Sequence, residues 1–210
     1  MSLANKIKSF LTIATLCCSP LVFGNDSACG NNEQAIRLAK LIGSDPDQQR
    51  KHLRCNKLLT KVAAAKVKRM AEYGLVIHNL GGSPNSALEE AGYRLPEYYG
   101  RGIGSNQVEA IAGGYEDADE VWYAIKKSIG HRTHLLGENK FYLEQDELGV
   151  AFFKDKKTPH VEYWAVYLTA SYDTEQRAGQ FEGDMPNKNT FILLNSEQAK
   201  YDFEPIIDDE

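Results

Sequence analysis

Three features that would point directly to a function are missing from the sequence. Lysine and arginine number 24 against 29 aspartates and glutamates, and the resulting net charge of −5 argues against a nucleic-acid or anionic-membrane partner. After residue 24, no segment is apolar over the roughly 20 residues that a transmembrane helix needs. No glycine-rich stretch combines a preceding strand with the lysine of a phosphate-binding loop. With these features excluded, the composition indicates an acidic globular domain.

Cysteine is scarce, with four in the whole chain. Cys17 and Cys18 lie in the leader described next, which leaves Cys29 and Cys55. In an oxidising compartment a single disulfide is the natural use of such a pair. It would close a loop of about 25 residues and stabilise the fold by about 3 kcal/mol. Two buried free thiols are the alternative.

The first 24 residues have the pattern of a secretory signal peptide. Two lysines precede an apolar run at residues 10–18, and Val22 and Gly24 stand at the minus-three and minus-one positions of a cut before Asn25. A retained anchor and lipoprotein processing at a leader cysteine are the alternatives. Cleavage would leave 186 residues (210 − 24) with a net charge of −7 (−5 − 2), and it predicts a secreted or periplasmic location.

Hydrophobic spacing predicts helices in the first part of the domain and strands in the second. This order indicates an α+β fold rather than alternating βαβ units. Residues 25–55 are polar and are interpreted as a lead segment without a regular element. The predicted helices are 56–74, 86–95 and 117–130, and the predicted strands are 147–154, 161–172 and 190–195.

Three polar side chains beside glycine or apolar residues are candidates for chemistry: His78, Glu109 and His131. Two histidines and one carboxylate are a common ligand set for a divalent transition metal, with water in the open position. Their spacing, however, is not that of a local zinc motif. The structural alternative is a helix-exit role for His78, a solvated Glu109 and backbone contacts for His131.

His131 and His134 are three residues apart and would share one face of a helix. Helical zinc proteases instead space their histidines by four, with a glutamate between them. Here Arg132 and Thr133 stand between, and the positive charge of Arg132 disfavours a cation. A serine nucleophile at Ser128 partnered by His131 would lack a visible acid to orient the histidine.

Six stretches occur along the chain in this order: RMAEYGLVIHN, EEAGY, VEAIAGG, IKKSIGHRTHLLG, ELGVAFF and VEYWAVYL. Together they resemble the bacterial secreted branch of the CAP superfamily, which is named for cysteine-rich secretory proteins, antigen 5 and pathogenesis-related 1 and is also called the SCP domain. The resemblance covers about residues 58–168. It implies a three-layer α-β-α sandwich with a central antiparallel sheet and an open cleft lined by histidines and acidic residues.

The resemblance also assigns positions. His78 matches the histidine after the first helix, Glu109 matches the glutamate of a Gly-Glu-Asn-Ile stretch, and His131 matches the histidine of a Ser-x-Gly-His-Arg stretch. It implies that these three residues line the cleft and would hold zinc or magnesium, with Glu109 as the candidate catalytic base. His134 falls where asparagine is frequent in the family, and a structural role is expected for it.

The sequence departs from the family pattern at several cleft positions. Lys66 stands where a histidine of the first helix is common, and Ser128 stands where eukaryotic members carry a second cleft glutamate. Val108 and Ala110 replace the glycine and asparagine that flank the family glutamate. The set of four cleft residues is therefore incomplete.

These observations predict a signal peptide at 1–24, a lead segment at 25–55, a CAP domain at 56–170 and an acidic C-terminal extension at 171–210. The predicted function is a binding or recognition module that takes an extracytoplasmic protein, lipid or small-molecule ligand. The alternative is a divalent-metal-dependent hydrolase that uses the same cleft. Tyrosines in the loop-rich half favour a recognition surface, with local packing as the alternative: Tyr93, Tyr98, Tyr99 and Tyr115.

Overall fold

The structure is a computed structural model, and it describes residues 29–170. The predicted signal peptide at 1–24, the acidic extension at 171–210 and the strand predicted at 190–195 lie outside the described residues. Six helices and one four-stranded sheet make up the described part, which confirms the predicted α+β class. Between residues 29 and 170, no helix is long and apolar enough to span a bilayer.

Helices and strands are interleaved along the chain more than the sequence predicts. A 3-10 turn at Glu97–Tyr99 precedes the second strand. The elements are α1 (Glu33–Ser44), β1 (Arg54–Cys55), α2 (Lys57–Tyr73), α3 (Pro84–Glu90), β2 (Glu109–Gly113), α4 (Ala118–Lys127), α5 (Ile129–Leu136), α6 (Lys140–Leu143), β3 (Glu147–Lys154) and β4 (Glu162–Thr169).

The sheet has the strand order β1-β3-β4-β2. The predicted hairpin is confirmed, because β3 and β4 pair antiparallel from Glu147 opposite Thr169 to Lys154 opposite Glu162. Strand β2 pairs antiparallel with the other side of β4, and the short strand β1 pairs parallel with β3. The sheet is therefore antiparallel across three strands and has one short parallel edge.

Helix α2 is the predicted helix of residues 56–74, and both of its ends have a local cause. The side chain of Asn56 accepts hydrogen bonds from the first free backbone N–H groups, and Gly74 ends the helix with φ 66°. The helix packs closely on β3 at Gly149, where an added Cβ would lie 2.2 Å from the backbone nitrogen of Thr60. Only glycine permits this approach, which sets the distance between α2 and the sheet.

Helices cover both faces of the sheet. Alternate residues of β4 point to opposite sides, as the two-residue period of a strand requires. Tyr163 and Tyr167 belong to the core cluster that includes α2, while Trp164 and Leu168 belong to the cluster that includes α1, α4 and α5. All four side chains are buried. The eight buried residues of β4 explain why its sequence is a nearly continuous apolar run.

The lead segment differs from its prediction, because it contributes both a helix and a strand. Asn32 caps α1 by accepting from the backbone N–H of Ala35, and Leu38 and Ile42 of this helix are fully buried. The apolar residues of α1 lie on one face of the helix, and charged or polar residues occupy the other positions. The mean hydropathy of the segment is therefore low although one face is apolar. Residues 29–55 are part of the same fold as α2 and the hairpin.

Arg50 connects the loop between α1 and β1 to the ends of α5 and α6 through hydrogen bonds. Its guanidinium is buried and donates to the carbonyl oxygens of Leu135 at 2.8 Å, His134 at 2.7 Å and Tyr142 at 2.5 Å. Burial lowers the pKa of Arg50 to about 10. The side chain thereby adds hydrogen bonds to carbonyl groups at the ends of α5 and α6, where regular helical donors are missing.

Cys29 and Cys55 form a disulfide, as predicted, with 26 residues of sequence separation. The bond joins the residue in front of α1 to strand β1. The backbone of Cys29 also accepts a hydrogen bond from Val150 in β3. The disulfide therefore closes α1 against the same edge of the sheet that β1 extends.

We expect the double variant Cys29→Ala/Cys55→Ala to lose about 3 kcal/mol of unfolding free energy, because the cross-link restricts the unfolded chain over its closed loop. Urea denaturation of the purified protein measures this loss. A reducing agent should destabilise the natural protein by a similar amount and leave the double variant unchanged. Equal unfolding free energies for the two proteins would contradict the expectation.

Candidate functional site

The structure places His78 and Glu109 in direct contact. Glu109 begins β2 and lies opposite Tyr167 of β4, so both side chains extend from the sheet face that α2 covers. Nδ1 of His78, in the turn after α2, lies 2.8 Å from Oε1 of Glu109. The hydroxyl of Tyr167 donates to the other carboxylate oxygen at 2.5 Å.

Lys66 is the fourth member of this group. Its ammonium lies 3.4 Å from Oε1 of Glu109 and donates to the backbone oxygen of His78. Lys66 is 8% exposed, although lysine is rarely buried without a charged partner. We call Lys66, His78, Glu109 and Tyr167 the buried quartet. In the sequence, Lys66 is visible only as a departure from the family pattern, because lysines between apolar residues of a helix usually face solvent.

Asn106 fixes the start of β2 and limits how His78 is protonated. Its side-chain oxygen accepts from the backbone N–H of Glu109 at 2.9 Å, which orients the amide. Nδ2 of Asn106 then lies 3.0 Å from Nδ1 of His78. Because the ionised Glu109 needs a donor, we assign the proton of the ring to Nδ1, so that the ring N–H and the Asn106 amide face each other as two donors. The amide donates instead to the backbone oxygen of Glu109 at 3.1 Å. In the neutral imidazole a proton on Nδ1 leaves Nε2 as an acceptor.

Glu109 is an anion in a fully buried position. Burial alone would raise the pKa of its carboxyl. The charge of Lys66, together with hydrogen bonds from His78 and Tyr167, outweighs burial and places the pKa of Glu109 below its ordinary value. The carboxylate is therefore an internal counter-ion that is already saturated by neighbouring donors.

The charge of Glu109 also affects the pKa values of Lys66 and Tyr167. Burial lowers the pKa of Lys66, and the charge of Glu109 opposes that decrease. Burial and the charge of Glu109 both raise the pKa of Tyr167 far above its ordinary value. Tyr167 thus keeps its proton and acts as a hydrogen-bond donor.

His131 is the third predicted site residue. It lies in α5 and is partly buried. Burial, and then the charge of His78, lower the pKa of His131 to about 4, so its ring is uncharged at neutral pH. A direct hydrogen bond joins His78 and Glu109, and the placement of His131 in one cleft with them stays a prediction.

His134 is turned into the protein, away from this role. Its Nε2 lies 3.3 Å from the backbone oxygen of Leu168, and its ring packs on Tyr142 with centroids 4.7 Å apart. Burial, and then the charge of Arg50, lower the pKa of His134 to about 3. These contacts are structural, as expected from the sequence.

The contacts around Glu109 do not suit a divalent cation. Among residues 29–170, no three or more histidine, cysteine, aspartate or glutamate side chains are grouped to hold a metal ion. The ammonium of Lys66 already supplies the positive charge that a bound ion would bring to Glu109. Zinc or magnesium at His78, Glu109 and His131 stays a prediction that a metal titration tests.

Two of the four tyrosines expected on a recognition surface lie in the core instead. Tyr93 and Tyr99 are 9% and 1% exposed. The hydroxyl of Tyr93 donates to the backbone oxygen of Ala170 at 3.0 Å, and the hydroxyl of Tyr99 accepts from Gln145 at 3.0 Å. Local packing is therefore the role of these two side chains.

Comparison with known proteins leaves the family open. No protein-family model matches the chain, and no curated protein matches it. Among solved structures, an outer surface protein of Borrelia burgdorferi is similar, with a TM-score of 0.49 and 19% identity over 65% of this chain and 90% of that chain. A likeness this distant carries no argument about family or function.

Removing the buried cation tests the electrostatics of the quartet. We expect Lys66→Met to lower the unfolding free energy by about 3–5 kcal/mol, because it leaves Glu109 buried without its counter-charge. The double variant Lys66→Met/Glu109→Gln should recover much of that loss. Chemical denaturation of the natural protein, both single variants and the double variant gives the coupling energy.

Lys68→Met is the matched control, since Lys68 is an exposed lysine on the same helix. It should change the unfolding free energy by no more than about 0.5 kcal/mol. A Lys66→Met variant as stable as this control would contradict the ion pair.

The two depressed histidine pKa values predict a loss of stability in weak acid. The unfolded chain binds protons at these residues as the pH falls through 6.5, while the folded protein does so only near the pKa of about 4 for His131 and about 3 for His134. Stability is therefore complete above pH 6.5 and falls below it, by up to about 1.4 kcal/mol per pH unit for each histidine.

Unfolding free energies at about pH 6.5 and about pH 5 measure this slope, above the range in which most carboxylates titrate. His131→Asn should have a shallower slope than the natural protein. An identical slope in both proteins would show that His131 does not take part.

Proposed function

We propose that the chain is a CAP-type recognition module that acts outside the cytoplasm and binds its ligand at a cleft beside His78 and His131, with the buried Glu109 orienting His78. The ordered sequence stretches described above support this family. Helices on both faces of the sheet, and antiparallel pairing of β2, β4 and β3, are consistent with a three-layer α-β-α sandwich of the CAP type. The signal-like leader and the Cys29–Cys55 disulfide support an oxidising, extracytoplasmic location.

The fully buried carboxylate of Glu109 is the observation that carries this proposal. Its side chain has no exposed surface and is held by Lys66, His78 and Tyr167. A catalytic base must reach a substrate or water, directly or through one water molecule. Glu109 instead fixes its neighbours in position, and a fixed polar arrangement beside a cleft favours binding over turnover.

The same contacts weigh against the metal-dependent hydrolase. In that mechanism Glu109 would bind the ion or act as general base. An ion there would have to displace the ammonium of Lys66 and compete with the hydrogen bond from Tyr167. No specific contact in the described residues favours hydrolysis over recognition.

Two measurements test the recognition proposal against the hydrolase. Purified protein should hydrolyse neither peptide nor ester panels in zinc or magnesium, because the carboxylate is engaged. It should also retain less than stoichiometric metal when analysed by mass spectrometry. Metal-dependent turnover that Glu109→Gln abolishes would overturn the proposal in favour of the hydrolase.

Capture from an envelope extract tests binding itself. Immobilised protein should retain a specific component, and His131→Asn should retain less of it, since His131 is partly exposed and belongs to the proposed cleft. His52→Asn is the matched control, because His52 is an exposed histidine in the loop before β1. Retention of nothing specific by the natural protein would count against recognition.

A further inference from the structure

A cavity of about 510 Å³ lies between α2 and α3 and reaches the buried quartet. One wall is the face of α2, and the other is the turn at residues 80–84 with α3 behind it. Lys66, His78 and Tyr167 all line it. Its volume falls within the roughly 300–1,000 Å³ of small-molecule sites.

Cations outnumber anions around this cavity. Its lining includes four basic side chains, Lys61, Lys66, Lys68 and Arg69, against two acidic ones, Glu72 and Glu90. This is the reverse of the chain as a whole, in which acids exceed bases. In the described part of the chain, Lys61 and Lys68 form no salt bridge, and both are exposed. A concave surface with unpaired charges of one sign attracts ligands of the other sign.

The buried ammonium of Lys66 has capacity for one more acceptor. An ammonium carries three N–H donors. Two of them are engaged, by Glu109 and by the backbone oxygen of His78. No third partner for it lies among residues 29–170. Because Lys66 lines the cavity, an oxygen atom of a ligand inside it would complete the hydrogen bonds of a side chain that is 8% exposed.

Small apolar side chains from both helices also line the cavity. Val62 and Ala65 come from α2, while Pro84 and Ala87 come from α3. A bound molecule would therefore meet positive charge and apolar surface together. This combination selects a ligand that has both an anionic group and a compact apolar body.

We propose that the cavity between α2 and α3 binds a small organic anion, with a carboxylate or phosphate held by Lys61, Lys66 and Lys68. The apolar part of the ligand packs against the small side chains of α2 and α3. The inference rests on the proposed recognition function, for which it names the ligand class and places the ligand beside His78.

Probes that share one apolar body and differ in charge test the ligand class. Isothermal titration with phenyl phosphate, phenylacetate, 2-phenylethanol and phenethylamine separates charge from shape. The two anions should bind roughly tenfold or more tightly than the neutral alcohol, and the amine should not bind. Phenyl phosphate against phenylacetate shows which anionic group is preferred. Equal affinity for anion and alcohol would overturn the proposal.

Variants of the cavity locate the binding. Lys61→Gln/Lys68→Gln should weaken phenyl phosphate binding by about tenfold, since each exposed charge contributes up to about 1 kcal/mol. Lys51→Gln/Lys57→Gln removes the same charge from exposed lysines outside the cavity and should leave the affinity within about twofold. Equal weakening by both pairs would show that the anion responds only to net charge, and would also overturn the proposal.

A larger side chain inside the cavity gives a second, steric test. Ala87→Phe should abolish binding of both anionic probes while the circular dichroism spectrum stays native. Unchanged binding by a folded Ala87→Phe variant would place the ligand elsewhere and refute the proposal. If this variant does not fold, the lysine pairs decide the question alone.

These outcomes are separable from those of the recognition proposal. If the anions fail to bind while envelope capture still depends on His131, the ligand class alone is wrong. If phenyl phosphate binds in the cavity but the extract yields nothing specific, or metal-dependent hydrolysis is found, the proposed function alone is wrong.

Discussion

A buried positive charge on α2 is balanced by a buried negative charge on the sheet, and the geometry of the site depends on that balance. Either charge alone would be strongly destabilising in such a position. Lys66 and Glu109 are tolerated because each neutralises the other and because His78 and Tyr167 supply further hydrogen bonds. The pairing also restricts how α2 can slide over the sheet, since a displacement of one helical turn would separate the charges. Gly149 fixes the spacing of the same helix from the sheet.

In the proposed cleft, these contacts would hold the polar walls rigid, which lowers the conformational cost of binding a ligand. The orientation of the His78 ring is determined by Glu109 before any ligand arrives, and the His131 ring is uncharged at neutral pH. The interior carboxylate positions these groups and does not face the solvent. Polar groups that are already held in place lose little entropy on binding, which suits recognition. The adjoining cavity adds unpaired positive charge to an otherwise acidic protein.

The elements that the sequence predicts well are those with a strong period. Helix α2 and the β3–β4 hairpin follow from apolar residues at helical spacing and from β-branched and aromatic runs. Helix α1 is missed because its apolar face is diluted by charged residues, and β1 and β2 are too short to leave a pattern. At the site, the contact between His78 and Glu109 is expected from a family resemblance rather than from spacing. The role of Lys66 is invisible locally, because only the sheet, 43 residues further on (109 − 66), supplies its partner.

The contacts of the lead segment with the rest of the fold limit how far the domain can be shortened at its N-terminus. Arg50, the disulfide and α1 all precede α2, yet they bind the end of α5 and cover one face of the sheet. A shortened chain that begins at α2 would keep every member of the quartet but would expose the apolar surfaces of α4 and β3 that α1 covers. Exposed apolar surface of this kind favours aggregation. The smallest autonomous unit therefore begins no later than Cys29, well upstream of the stretch that resembles a known family.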